Sequence, residues 1–175
     1  MSKLLGEAAI AASASSPSPA STLLTGWKAE DLPAFSEIAN RALRTQIKNG
    51  DPAALALVGF THGSQVALAD LTVTPACIPM GGEVCFAFNL LSTAVEPQKL
   101  VVDYIIHLVR ANGTLTPKVF KLAKKLLAPG ESVGFTKRHS FREITTRRYY
   151  PGKHAVEIQV NGVTCGRVEF VLGEP

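Results

Sequence analysis

The order of apolar and polar residues divides the chain into a short helical part and a longer part with strand-like alternation. Between residues 30 and 58, apolar side chains recur every three or four positions, the period of an amphipathic helix. Asp31 and Asp51 stand where helix caps are expected, and Asn49-Gly50 separates the two runs. The pattern therefore predicts two helices, at residues 30–48 and 51–58.

From residue 66 the apolar period changes to two, which indicates strands. Turn signals such as Asn112-Gly113, Pro129-Gly130 and Asn161-Gly162 punctuate this part. Seven strands are predicted, around residues 66–73, 84–90, 100–109, 119–122, 132–135, 155–160 and 163–172. The pattern predicts a mainly β fold, an immunoglobulin-like antiparallel sandwich of about seven strands preceded by a short helix pair.

Composition adds a domain division to this reading. Residues 1–26 are rich in Ala, Ser and Pro, which is typical of a disordered tail. Residues 27–60 hold the helix pair, and residues 64–175 hold the sandwich. The apolar faces of the helices are too large for a free hairpin, so the pair is expected to pack on the sandwich or on another protein.

Charge is distributed unevenly. The net charge is +4, but residues 118–153 contain ten Lys/Arg and two acids, so this region carries +8 and the rest of the chain −4. A basic region on a neutral-to-acidic scaffold suggests a surface that faces a polyanion.

Residues 137–154 contain six of these cations and one acid, Glu143, together with hydroxyl groups and two tyrosines. Fixed cations, neutral donors and aromatic rings suit a phosphate surface. An ordinary solvated loop is the alternative. The lysines of residues 118–125 have their own alternative, since edge-strand lysines deter association between sheets.

Other chemistry is sparse in the sequence. The three cysteines form no CxxC pair and are expected to be small buried thiols in a reducing cytoplasm. The four histidines show no ligand spacing, so neither a metal nor a cofactor is predicted. Asp103 is either a catalytic carboxylate or a residue that faces outward or pairs with a base. His154 is expected to bond back to the backbone at the corner before the sixth strand. No run is long and apolar enough to span a membrane.

Several runs resemble the C-terminal region of AlkC-type bacterial DNA alkylation repair proteins. They are residues 41–45, 55–57, 100–113, 117–121, 137–141 and 145–162. The resemblance implies a relation to DNA glycosylases that excise methylated bases. In these, HEAT-like helical repeats hold the catalytic site and an immunoglobulin-like domain grips the duplex.

The chain holds one helix pair where those proteins have an array of repeats, so no catalytic residue carries over. The resemblance implies a DNA-backbone-binding module that is not catalytic alone, with duplex DNA as its partner. The alternative is an interaction scaffold that docks on a protein, such as a helical-repeat protein, through the helix pair and sandwich. The DNA-binding residues implied are Lys118, Lys121, Lys137, Arg138, His139, Arg142, Arg147, Arg148 and Tyr149.

Overall fold

The structure is a computed structural model that describes residues 40–143, 145 and 148–173. In these ranges the chain forms two short helices and eight strands in two sheets, which confirms the predicted mainly β sandwich preceded by helices. The elements are α1 (Arg44–Lys48), α2 (Pro52–Leu57), β1 (Val66–Thr74), β2 (Cys77–Ile78), β3 (Glu83–Ser92), β4 (Gln98–Val109), β5 (Leu115–Leu127), β6 (Ser132–Ser140), β7 (Gly152–Val160) and β8 (Val163–Leu172). The predicted tail at residues 1–26 and most of the first predicted helix lie outside the described residues.

One sheet has three strands in the order β1-β3-β6, and the other has five in the order β2-β8-β7-β4-β5. Every pair is antiparallel except β2 with β8, which run parallel. The sequence pattern does not predict β2, because a strand of two residues is defined by its partner. Cys77 is exposed there, so its predicted burial is wrong, and Cys85 and Cys165 are half-buried.

The core lies between the two sheets and follows the period of two. In β3 the buried apolar positions are Val84, Phe86, Phe88 and Leu90. In β4, which has a neighbour on each side, alternate residues Leu100, Val102, Tyr104 and Ile106 face the same core. Each such apolar side chain contributes about 1.5–3 kcal/mol by leaving water.

The other face of β4 is covered by the helices, so β4 is buried on both faces, as its continuous apolar run predicts. Asp51 caps α2 by accepting a 2.8 Å hydrogen bond from the backbone N–H of Ala54, which confirms the predicted cap. Leu55 and Phe60 then pack against Val101 of β4. The helix pair therefore packs on the sandwich that follows it in the chain.

The turn between β7 and β8 completes this packing. The side-chain oxygen of Asn161 accepts from the backbone N–H of Val101 at 2.7 Å, and its amide donates to the carbonyls of Thr61 at 2.8 Å and Lys99 at 3.0 Å. Gly162 lies against Gly50 so closely that a Cβ on either residue would meet the other's backbone within 3 Å. We call this contact the helix seat: Val101, Asn161 and Gly162 on the sandwich, with Gly50, Leu55 and Phe60 on the helical side.

A loop joins β6 to β7 and is anchored by aromatic packing at its two ends. Phe141 and Tyr149 are buried, with ring centroids 5.0 Å apart. His154 is fully buried, and its Nε2–H donates to the carbonyl of Tyr150 at 2.9 Å, which confirms the predicted corner. Burial lowers the pKa of His154, with hydrogen bonds to the backbones of Tyr150 and His107 opposing the shift, so the ring is neutral at pH 7.

Candidate nucleic-acid interface

One flank of the sandwich is lined by the edge strands of both sheets, β5 and β6. The two edges lie together, since the rings of Phe120 in β5 and His139 in β6 have centroids 4.9 Å apart. Six exposed cations line this side, and we call them the basic flank: Lys118, Lys121, Lys124, Lys125, Lys137 and Arg138.

A bulge in β5 decides where two of these lysines point. Asp103 pairs with Lys121 and Val102 with Ala123, so β5 carries one extra residue at this position. Strict alternation would place Lys121 and Lys124 on opposite faces of the sheet. The extra residue puts both on the face that carries Val101 and Asp103, which is the face under the helices.

Most cations of the basic flank lack a carboxylate neighbour. Among the described residues, ion pairs within 4.0 Å are His107–Glu157, Arg138–Glu83, Lys153–Glu169 and Arg167–Glu169. Only Arg138 of the flank takes part, at 3.7 Å and with both partners exposed, so that pair contributes little. Within the described part of the chain, the other five cations of the flank therefore carry charge that no nearby carboxylate offsets.

Two of the predicted DNA-binding residues are not on the surface. His139 is 8% exposed and points between the sheets, where its Nδ1 lies 3.2 Å from the hydroxyl of Tyr104. Tyr149 is 4% exposed and packs on Phe141. In this structure neither side chain can reach a phosphate. The alternation of β6 points His139 inward, and packing on Phe141 buries Tyr149.

The loop after β6 carries the remaining predicted cations. Arg142 and Arg148 are exposed, and the guanidinium of Arg148 lies 5.9 Å from the ring centroid of Tyr150. Arg147 lies outside the described residues. Tyr150 in turn borders a shallow depression with Arg110 and Thr116, which places this loop beside the start of β5.

A cleft of about 540 Å³ opens between the helical segment and the basic flank. We call it the α1–β5 cleft. Its lining residues come from residues 40–48, β4, β5 and β6: Asn40, Arg41, Arg44, Ile47, Lys48, Val101, Asp103, Tyr104, Phe120, Lys121 and Lys137. Sequence reasoning missed Arg41, Arg44 and Lys48, although their spacing of three and four residues places them on one side of a helix.

Lysines also fasten the helical segment to β5. The ammonium of Lys48 donates to the carbonyl of Val119 at 3.2 Å, and that of Lys124 donates to Asn40 Oδ1 at 3.1 Å. Lys124 also lies 5.1 Å from the ring centroid of Phe60. Desolvation by burial lowers the pKa of both lysines, with nearby cations adding to the shift.

Asp103 lies at the bottom of the cleft and is 4% exposed. Burial raises the pKa of its carboxyl group to about 6, against the opposing charges of Lys121 and Lys48. Neither cation is within 4.0 Å of the carboxylate, so Asp103 interacts with these bases by longer-range electrostatic attraction and not by an ion pair.

Metal-ligand clusters and membrane-spanning helices are both absent from the described ranges. No group of three or more His, Cys, Asp or Glu residues is arranged there to hold a metal ion. No helix in the same ranges has the length and apolar character needed to cross a bilayer.

Two packed sheets joined in this order, with the core between them, define an immunoglobulin-like β-sandwich, here with a basic edge. The family model that describes the C-terminal Ig-like domain of the uncharacterised protein YhaZ matches residues 67–174. The chain belongs to this family.

Two relatives extend the match beyond the sandwich. YhaZ of Bacillus subtilis (strain 168) is 35% identical over 133 residues, which cover 76% of this chain and 37% of YhaZ. The Pseudomonas fluorescens alkylpurine DNA glycosylase AlkC, solved bound to DNA containing an abasic site analog, superposes with a TM-score of 0.84 at 42% identity. That match covers 87% of this chain and 42% of AlkC and confirms the resemblance to the AlkC-type C-terminal region. The chain thus spans less than half the length of either relative.

More distant structures share the fold alone. A Listeria innocua β-glucosidase in complex with isofagomine superposes over 63% of this chain and 16% of its own, with a TM-score of 0.52 and 17% identity. At that identity the likeness carries no information about activity.

Proposed function

We propose that this chain is a DNA-backbone-binding immunoglobulin-like module related to DNA alkylation repair. The observation that carries the proposal is the basic flank, where the exposed cations on two edge strands, except Arg138, lack carboxylate neighbours among the described residues. The likeness at 42% identity to a glycosylase solved with DNA supports the same partner.

The arrangement suits phosphates better than base edges. Cations on strand edges and on a neighbouring loop present charge over a surface, and contacts of this kind hold a duplex without reading its sequence. The binding is therefore expected to be weak, tolerant of sequence and strongly dependent on salt.

The set of proposed phosphate contacts is smaller than the set that the sequence predicted. Lys118, Lys121, Lys137, Arg138, Arg142 and Arg148 remain as the proposed phosphate contacts among the described residues. The proposal assigns no catalytic role to the chain, because the excision chemistry implied by the resemblance belongs to helical repeats beyond the matched region.

A duplex-binding measurement at several salt concentrations tests the proposal. In the double variant Lys118→Ala/Arg138→Ala, we expect weaker binding to every duplex sequence. The slope of log affinity against log salt should become shallower by about 1.8, since each lost phosphate contact contributes about 0.9.

The matched control removes two cations that lie away from the basic flank, on β7 and β8. Lys153 and Arg167 both pair with Glu169, at 3.4 Å and 3.8 Å, so Lys153→Ala/Arg167→Ala should leave the slope nearly unchanged. Equal effects of the two double variants would show that net charge alone, and not the flank, governs binding.

Docking on another protein, including a helical-repeat protein, has less support. The apolar face of the helix pair that motivated this alternative packs on the sandwich through Leu55, Phe60 and Val101.

A further inference from the structure

The α1–β5 cleft combines two features that flat phosphate-binding surfaces lack. It is a concave site of about 540 Å³, within the range typical of small-ligand pockets. It also carries opposite charges at different depths, with exposed cations around a buried carboxylate.

The outer part of the cleft suits an anion. Arg41, Arg44, Lys121 and Lys137 are exposed, and Lys48 is half-buried. None of the five has a carboxylate within 4.0 Å among the described residues. Because the cations come from the helical segment and from both edge strands, they surround the opening and do not form a single row.

The inner part suits a hydrogen-bond donor. Asp103 is more than nine-tenths buried, it lines the cleft, and no described residue donates a hydrogen bond to its carboxylate. The carboxylate oxygens face an open cleft and accept no hydrogen bond from the described residues, so a ligand that brings N–H groups into the cleft would find an unused acceptor there. Phe120, which is half-buried, also lines the cleft and contributes an aromatic ring.

We propose that the α1–β5 cleft binds a nucleotide, with its phosphate among the outer cations and the amino-bearing edge of its base on Asp103. Guanine fits best, since its ring N–H and exocyclic amine offer two adjacent donors to the two carboxylate oxygens. The ligand is either a free nucleotide or an unpaired nucleotide of a DNA strand, which present the same groups. The inference deepens the proposed function by adding a nucleotide pocket beside the phosphate-binding flank.

Calorimetric or NMR titration of the full chain at low salt tests the proposal, with dGMP, dTMP and inorganic phosphate as probes. We expect dGMP to bind at least about tenfold more tightly than inorganic phosphate, with dTMP between them. A guanine-containing single strand should compete with dGMP if unpaired DNA is the source, and a duplex of the same sequence should compete poorly. If neither the single strand nor the duplex competes with dGMP, the free nucleotide is the ligand.

Two variants separate the roles of the cleft residues. Asp103→Asn keeps the shape of the side chain, and we expect it to weaken dGMP about tenfold while phosphate binds as well as before or more tightly. A loss of dGMP binding without a loss of phosphate binding cannot come from a general loss of structure. Lys121→Ala should weaken all three probes, and Lys153→Ala/Arg167→Ala should weaken none.

The proposal is overturned if dGMP and phosphate bind with equal affinity and their affinities remain equal in Asp103→Asn. Absence of nucleotide binding also overturns it, and if duplex binding persists with the salt slope set by Lys118 and Arg138, the proposed function stands without the pocket. These two residues do not line the cleft, so the two proposals fail separately.

Discussion

The helix seat and the basic flank lie on the same sandwich but differ in whether their polar groups are buried and hydrogen-bonded or exposed to solvent. At the seat, Asn161 is 1% exposed, and its amide group makes three hydrogen bonds to backbone groups. On the flank, Lys118, Lys121 and Lys137 are exposed and without carboxylate neighbours among the described residues.

The difference separates stability from function. Polar groups that are buried must be satisfied internally, and removing their partners is expensive. Exposed cations of one sign add nothing to folding and leave their interaction energy for a ligand. Substitutions at the seat should therefore cost stability, and substitutions on the flank should cost binding.

The largest effect should come from Asn161→Ala. It leaves the buried N–H of Val101 and the part-buried carbonyls of Thr61 and Lys99 without their partner. We expect the free energy of unfolding to fall by about 4 kcal/mol in urea denaturation. Asn112→Ala is the control, since Asn112 is exposed and holds only its own turn, and it should cost about 1 kcal/mol. Equal costs would break the comparison.

The close approach of Gly162 to Gly50 should be the next most sensitive feature. Gly162→Ala places a methyl group against the backbone of Gly50 and also strains a backbone with φ of +82°. We expect a loss of about 3 kcal/mol. Gly130→Ala has a similar φ of +71° but no neighbour within 4 Å, so its smaller loss, about 1 kcal/mol, measures the strain alone.

Asp103 lies between the two regions and sharpens the comparison through pH. Burial raises its pKa to about 6 in the native state, with Lys121 and Lys48 opposing, whereas an unfolded aspartate titrates near 4. The protonated form therefore favours the native state, and this contribution is fully present below about pH 4 and lost as the pH rises through about 6.

Asp103→Asn should remove that pH dependence and raise the free energy of unfolding above pH 7 by up to about 3 kcal/mol. Urea denaturation between pH 4 and 8 measures both effects, with the exposed Glu96→Gln as control. A variant that is less stable than the parent at pH 7.5 would show that the carboxylate is satisfied in the native state. A more stable variant that binds dGMP less well would indicate a carboxylate retained for binding.

The smallest change in stability is expected on the flank. Lys118→Ala/Arg138→Ala loses one exposed 3.7 Å ion pair with Glu83, so the free energy of unfolding should change by less than about 0.5 kcal/mol. The same protein should show the shallower salt slope in duplex binding. A large loss of stability here would mean that the flank is structural.

Much of the fold was predictable because its elements have clear signals in the local sequence. Alternation located seven of the strands, and the capping role of Asp51 and the turn at Asn161-Gly162 follow from the chemistry of single residues. Strand β2 could not be predicted, since it exists only by pairing with β8.

The candidate site was less predictable. A count of charge located the basic region, but it could not tell exposed Lys137 from buried His139 two residues later in the same strand. The spacing of Arg41, Arg44 and Lys48 signalled a shared helical side, yet nothing local placed that side beside β5 and β6.

The sequence by itself determined the sandwich, the helix pair and the excess of positive charge in one region, because period, turns and charge are properties of neighbouring residues. Only the tertiary structure decided that the helices cover the outer face of β4 and that the bulge in β5 brings Lys121 and Lys124 to that face. It also decided that Asp103 is buried among cations from three separate elements. These features depend on contacts between residues far apart in the chain. Such contacts, and their free energy, exist only once the sheets and helices have packed together.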